Sequence, residues 1–246
     1  MAAQDSPCRI LVMASGFGSN FQALIDAVAS GEIPNSKIIS LFVNRSKAHA
    51  VVRAEKAGIP SEYYNLISHG FLPKTEKDEQ KVAEARQRYD AALAEKVISK
   101  QPELIVLAGW MHIFSEAFLE PLQKAGILII NLHPYVIRSP VNVIGDGKML
   151  TYLLQSVANR ADEFDGANAI ERAFDEFKAG RLTRTGIMAH YVIHEVDKGT
   201  PIMVEEIKWE GEEIDQFKDK MHAREHPLIV KATAKVVGEI LTRRST

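Results

Sequence analysis

A chain of 246 residues, 46% hydrophobic and 25% charged, is long enough to bury one large core and carries no compositional sign of disorder. A formal net charge of -2, with basic residues scattered rather than massed, excludes an electrostatic footprint for nucleic acid. One cysteine, Cys8, excludes an intrachain disulfide framework; with no signal-peptide pattern at the start and no apolar stretch near bilayer length, we expect a cytoplasmic protein without a membrane partner.

Taken in chain order, the hydrophobic pattern alternates between strand and helix periods. Arg9 to Ala14 is a β-branched apolar run, followed by the turn Gly16-Phe17-Gly18 and an amphipathic helix over Ser19 to Ala29. Lys37 to Val43 is the next strand, Ala48 to Ala57 a helix, and Pro60 to Asn65 a short strand. Thr75 to Lys100, rich in Ala, Glu, Lys and Gln, predicts one long helix feeding the strand Leu104 to Leu107. A short helix precedes the strand Ile127 to Leu132. After residue 165 come a helix over Ala167 to Lys178, a hairpin (Gly186 to His194, then Ile202 to Trp209) and a final helix from Glu213 to Arg243. These elements predict an α/β fold: a doubly wound, mostly parallel sheet with an antiparallel extension, in one domain spanning residues 1–246 that reads as a complete unit.

Three places carry chemistry. Asn131-Leu132-His133-Pro134 closes the apolar run Ile127 to Ile130, and in open parallel sheets the carboxyl ends of strands form the ligand crevice. Asn131 and His133 are therefore candidate catalytic residues. Ser15-Gly16-Phe17-Gly18-Ser19-Asn20 follows a strand and opens a helix, where free amides and the helix dipole suit a phosphate. It is not the dinucleotide fingerprint, because the third glycine of that pattern would fall on Phe21. The alternative is a plain glycine turn with Ser19 or Asn20 capping the helix. Finally, Val196-Asp197-Lys198-Gly199 is ordinary turn chemistry unless Asp197 faces His133, where a carboxylate would favour the imidazolium. His190 and His194 lack a clear third ligand, so they are expected to be hydrogen-bonded histidines, and no metal site is expected.

Together, Ser15-Gly16-x-Gly18-Ser19-Asn20, Leu107-Ala108-Gly109-Trp110-Met111, Asn131-Leu132-His133-Pro134, Val196-Asp197-x-Gly199 and Arg224-Glu225-His226 resemble, in order and approximate spacing, the phosphoribosylglycinamide formyltransferases. The resemblance spans nearly the whole chain and implies a formyltransferase-like Rossmann variant. It implies transfer of a formyl group from 10-formyltetrahydrofolate, as donor, to the amine of glycinamide ribonucleotide in purine synthesis. By this match Asn131, His133 and Asp197 are catalytic; Gly16, Gly18, Ser19 and Asn20 hold the substrate phosphate; Glu225 contacts the ribose; and the segment from Leu107 through Met111, His112 and Ile113 lines the folate pocket. The partners implied are small-molecule substrates. Two other functions stay open: hydrolysis of 10-formyltetrahydrofolate by the same Asn, His and Asp, with water replacing the amine, and nucleotide binding without catalysis.

Two departures stand out. His112 occupies a position where many relatives have arginine, and the resemblance then implies a folate contact that is lost or altered. From Tyr135 to Asp162 the short turn of the family is replaced by a long atypical insertion, and the pattern resumes at Phe164-Asp165-Gly166. Three readings compete for residues 135–162: an active-site lid with a helix over Met149 to Val157, an erroneous or alternative reading of the message, and a surface decoration.

Overall fold

The computed structural model describes residues 6–136, 169–180, 182, 184–193 and 200–245. In chain order the elements are β1 (Cys8–Ala14), α1 (Ser19–Ser30), β2 (Ser36–Val43), α2 (Ala50–Lys56), β3 (Ser61–Tyr63), α3 (Glu79–Ser99), β4 (Leu104–Leu107), α4 (Glu116–Lys124), β5 (Leu128–Val136), α5 (Ala169–Lys178), β6 (Arg184–Tyr191), β7 (Pro201–Lys208) and α6 (Ile214–Arg244). Among the described residues the strands follow the order β3-β2-β1-β4-β5-β6-β7. β1 pairs in parallel with β2 and β4, and β2 with β3, whereas β6 and β7 are antiparallel. This is the doubly wound sheet with an antiparallel extension that the hydrophobic periods predict.

The chain divides into two compact units, residues 1–130 with 233–246, and residues 131–232. In the first, Leu11, Val12 and Met13 of β1, Leu41 and Phe42 of β2, and all four residues of β4 are buried, as strands covered on both faces must be. The order of strands reverses at the β1–β4 pair, which is the topological switch point where α/β sheets bind ligands. The same unit joins the two ends of the sequence. Arg244 pairs with both carboxylate oxygens of Glu103 and donates to the Ser6 carbonyl at 2.6 Å, while the Arg9 amide donates to Glu103 at 3.0 Å. Beneath this clamp, burial first and the Glu103 charge second push the Cys8 thiol up to about 12.

In the second unit α5, β6, β7 and the first part of α6 enclose a core of Phe174, Phe177, Ile187, Ile207, Phe217 and Met221. Trp209 stacks on Phe177 with ring centroids 5.9 Å apart.

Several boundaries differ from expectation, each for a local reason. α3 begins at Glu79 rather than Thr75 because the Asp78 side chain accepts from the Lys81 amide at 3.1 Å and caps the helix, while Glu76 accepts from the amides of Lys77 and Asp78. β3 is shorter than the apolar stretch around it, since Asn65 turns the chain by accepting from the amides of Ile67 and Ser68. β5 does not close at Leu132; it runs on to Val136, so His133 lies within the strand with Asn131 rather than beyond it. Being two apart on a strand, they share a face. The expected helix over Met149 to Val157 lies outside the described residues, as do Asp197 and His194.

Candidate active site

In the first unit, two loops meet at the switch point. The glycine turn leaves β1, and Gly18 adopts a left-handed conformation (φ 75°, ψ 32°) directly before α1. A Cβ at Gly18 would come within 2.8 Å of the Ala50 Cβ, so glycine is required there both by conformation and by space. Gly18, not Ser19 or Asn20, is the N-cap, and no side chain caps the helix; Ser19 and Asn20 are its first two residues. The amides of the first turn thus face outward at the positive end of the helix dipole.

The loop is braced by residues that sequence patterns did not single out. Arg53 of α2 donates from Nε to the Phe17 carbonyl and from Nη1 to Gln22 Oε1, each at 3.0 Å. Its guanidinium lies 4.7 Å from the centre of the Phe17 ring, which stacks on His49 at 4.9 Å. The Gly16 carbonyl accepts from the Ala50 amide at 3.3 Å.

The second loop leaves β4 and is bonded to the first. The Ser15 amide donates to the Gly109 carbonyl at 3.0 Å, and the Met111 amide donates back to Ser15 Oγ at 2.9 Å. Ser15 is buried, so its hydroxyl serves this bond rather than solvent.

Beyond the second loop opens a cleft of about 330 Å³, built from the carboxyl ends of β2, β3 and β4 and one side of α3. Met111, His112 and Ile113 line it; Leu107, the last residue of β4, is buried and is not among its lining residues. Arg45 and Arg86 make it cationic, with no carboxylate among the residues that line it. Ile67, Met111 and Ile113, each about half exposed, give it apolar lips. Asn44 also lines it, and its Oδ1 is buried without a hydrogen-bond partner among the described residues. Arg45, Arg86 and Asn44 escaped sequence analysis because single polar residues at strand and helix ends carry no periodic signal.

In the second unit, Asn131 and His133 are half-buried on β5. His190 of β6 is buried, and its Nδ1 lies 3.0 Å from the Tyr191 carbonyl. A carbonyl only accepts, so Nδ1 carries the hydrogen and Nε2 is left as acceptor for the Asn131 amide, 3.5 Å away. His190 is thus the hydrogen-bonded histidine expected, and its partner is one of the candidate catalytic residues. Glu225 is half-buried on α6, and its neighbour Arg224 pairs with Glu205 of β7 at 2.9 Å.

Comparison with known proteins shows the family. A family model described as formyl transferase matches residues 8–137 and 162–233, leaving out most of the atypical segment. The phosphoribosylglycinamide formyltransferase of Schizosaccharomyces pombe is 37% identical over 94% of this chain and 97% of its own length. That of Saccharomyces cerevisiae is 34% identical over 94% and 98%. Among solved structures, the phosphoribosylglycinamide formyltransferase of Coxiella burnetii superposes with a TM-score of 0.68 at 26% identity, covering 95% of this chain and 89% of that one.

Proposed function

The chain belongs to the formyl transferase family, as a phosphoribosylglycinamide formyltransferase, and from that membership we propose how its residues carry a formyl group from 10-formyltetrahydrofolate to the amine of glycinamide ribonucleotide in purine synthesis. The observation that carries the reading is the pairing of Asn131 with His190 on the strand that also holds His133. Attack of the amine on the formyl carbon forms a C–N bond and leaves a tetrahedral carbon whose oxygen becomes anionic. One hydrogen of the Asn131 amide is directed at His190, and the other remains to meet that oxyanion. His133, on the same face, donates the second hydrogen bond when protonated. Collapse breaks the bond to folate N10; the amine loses a proton and N10 gains one, and His133 is the group suited to relay it. Asp197 completes the set as the carboxylate that sustains the imidazolium.

The nucleotide phosphate belongs on the uncapped first turn of α1, with Gly16, Gly18, Ser19 and Asn20, and Glu225 accepts from a ribose hydroxyl. The cleft beside Met111, His112 and Ile113 suits the donor: apolar lips for flat rings, and Arg45 and Arg86 for an anionic tail. The whole chain works as one formyltransferase domain with 135–162 as an insertion, in the cytoplasm; no helix among the described residues is long and apolar enough to cross a membrane.

The test is consumption of 10-formyltetrahydrofolate with and without glycinamide ribonucleotide. Formyl loss that requires the ribonucleotide and yields its N-formyl product supports the transferase. Equal loss without it overturns that reading in favour of a hydrolase, and no loss with retained nucleotide binding overturns catalysis altogether.

A further inference from the structure

Helix α3 places Arg86, Tyr89 and Asp90 at i, i+3 and i+4, on one side. Arg86 and Tyr89 line the cleft; Asp90 is fully buried, at a helical phase shared with Ala94 and Val97. A carboxylate taken wholly out of water is costly unless donors meet it. Here both oxygens are met from one segment, the coil between β4 and α4. Oδ1 lies 2.6 Å from His112 Nε2, and Oδ2 accepts from the Ser115 amide at 2.7 Å. The His112 ring is further held edge-on by Tyr89 and Phe114, with centroids 5.3 and 5.6 Å away.

This carboxylate takes no part in the chemistry assigned to Asn131 and His133. Nor is it needed merely to fill the core, since buried ion pairs are often replaceable by apolar residues without loss of stability. What it does is pin both ends of residues 112–115, the stretch that forms one side of the cleft. Met111 and Ile113, on either side of the pinned histidine, are 53% and 59% exposed and have little packing of their own to hold them in place.

We propose that Asp90 is a positioning residue for the formyl donor, acting through His112 to fix the side of the cleft against which the donor lies. The proposal rests on the reading of this cleft as the donor site. It also accounts for histidine at position 112: a planar ring with a hydrogen on Nε2 reaches a buried carboxylate and presents its other edge elsewhere.

The test measures separate KM values for 10-formyltetrahydrofolate and glycinamide ribonucleotide, with melting temperatures, in Asp90→Asn, Asp90→Ala, His112→Ala and the Asp90→Ala/His112→Ala double variant. Losing a hydrogen bond to a charged group predicts a donor KM raised about tenfold in Asp90→Ala, with the ribonucleotide KM unchanged. Asp90→Asn, which keeps an acceptor for the Ser115 amide, folds normally and shows a smaller rise in the same KM. The double variant is no worse than the poorer single one, because one residue acts through the other. An unchanged donor KM in folded Asp90→Asn and Asp90→Ala, an equal rise in both KM values, or multiplying effects in the double variant overturns the proposal. Ile113→Glu separates it from its premise. If that variant leaves the donor KM alone, the cleft reading fails and Asp90 with it; if it raises the KM while the Asp90 variants do not, only the role of Asp90 fails.

Discussion

The Asn131 amide and His190 Nε2 are 3.5 Å apart, and the Tyr191 carbonyl fixes which nitrogen of the ring can accept. The relationship orients an amide on one strand through a histidine on the next. His190→Ala frees that amide to rotate, and a misplaced oxyanion donor predicts a fall in kcat on the order of 10- to 100-fold. Steady-state kinetics at saturating substrates check this, with little change expected in either KM.

His133→Ala tests the proposed proton relay. General acid–base residues contribute about 100-fold or more to rate, so kcat should fall at least that far. His133 is only half-buried, and the melting temperature should move by no more than a few degrees. A folded His133→Ala enzyme with near-normal turnover would defeat the mechanism.

Gly18→Ala tests the proposed phosphate-binding role of the glycine turn. A left-handed backbone costs an L-residue about 1–2 kcal/mol, and the added methyl meets Ala50 at 2.8 Å. Thermal denaturation should register the loss, and the KM for glycinamide ribonucleotide should rise more than that for the donor.

Ser15→Ala cuts the bond between the two loops and leaves the Met111 amide without its acceptor, at a cost of about 1–3 kcal/mol. Denaturant titration measures it. Because the loops proposed to bind donor and nucleotide are joined at this hydroxyl, KM values for both substrates should rise together.

Glu103 gives the stability a pH signature. Burial pushes its carboxyl up, but the hydrogen bonds from Arg244 and the Arg9 amide outweigh that and hold it below the usual carboxylate value of 4.5. A carboxylate with a lowered folded-state pKa stabilises fully above its unfolded value, and that contribution disappears as pH falls through the folded one. Wild type should therefore lose melting temperature below pH 4.5 more steeply than Glu103→Gln, which has no charge to lose there.

The elements themselves were largely readable, because apolar runs at strand and helix period report burial directly: β1, β2, β4, the β6–β7 hairpin and α6 fall where the pattern puts them. Their ends were less so, since Asp78 and Asn65 stop or start an element through a single side-chain bond that hydropathy does not register. The continuation of β5 through His133 was masked by Pro134, which ordinarily argues against a strand interior. Of the candidate site, the positions of Asn131, His133 and the glycine turn near strand ends could be read from motif and spacing. Their supports, His190, Arg53 and Ser15, come from elsewhere in the chain and are visible only once the strands are ordered. Asp90 is an intermediate case: a carboxylate at the apolar phase of α3, between Tyr89 and Leu93, is a conspicuous misfit in the sequence, although its partner is not.

The clamp of Arg244 on Glu103 and Ser6 bears on the order in which the chain matures. The first unit takes in residues 233–246 as well as 1–130, so it cannot close until the last part of α6 has been made and Arg244 reaches Glu103 and Ser6. Until then the unit lacks the buried side chains of Val236, Val237 and Ile240, so its core is completed by the segment made last.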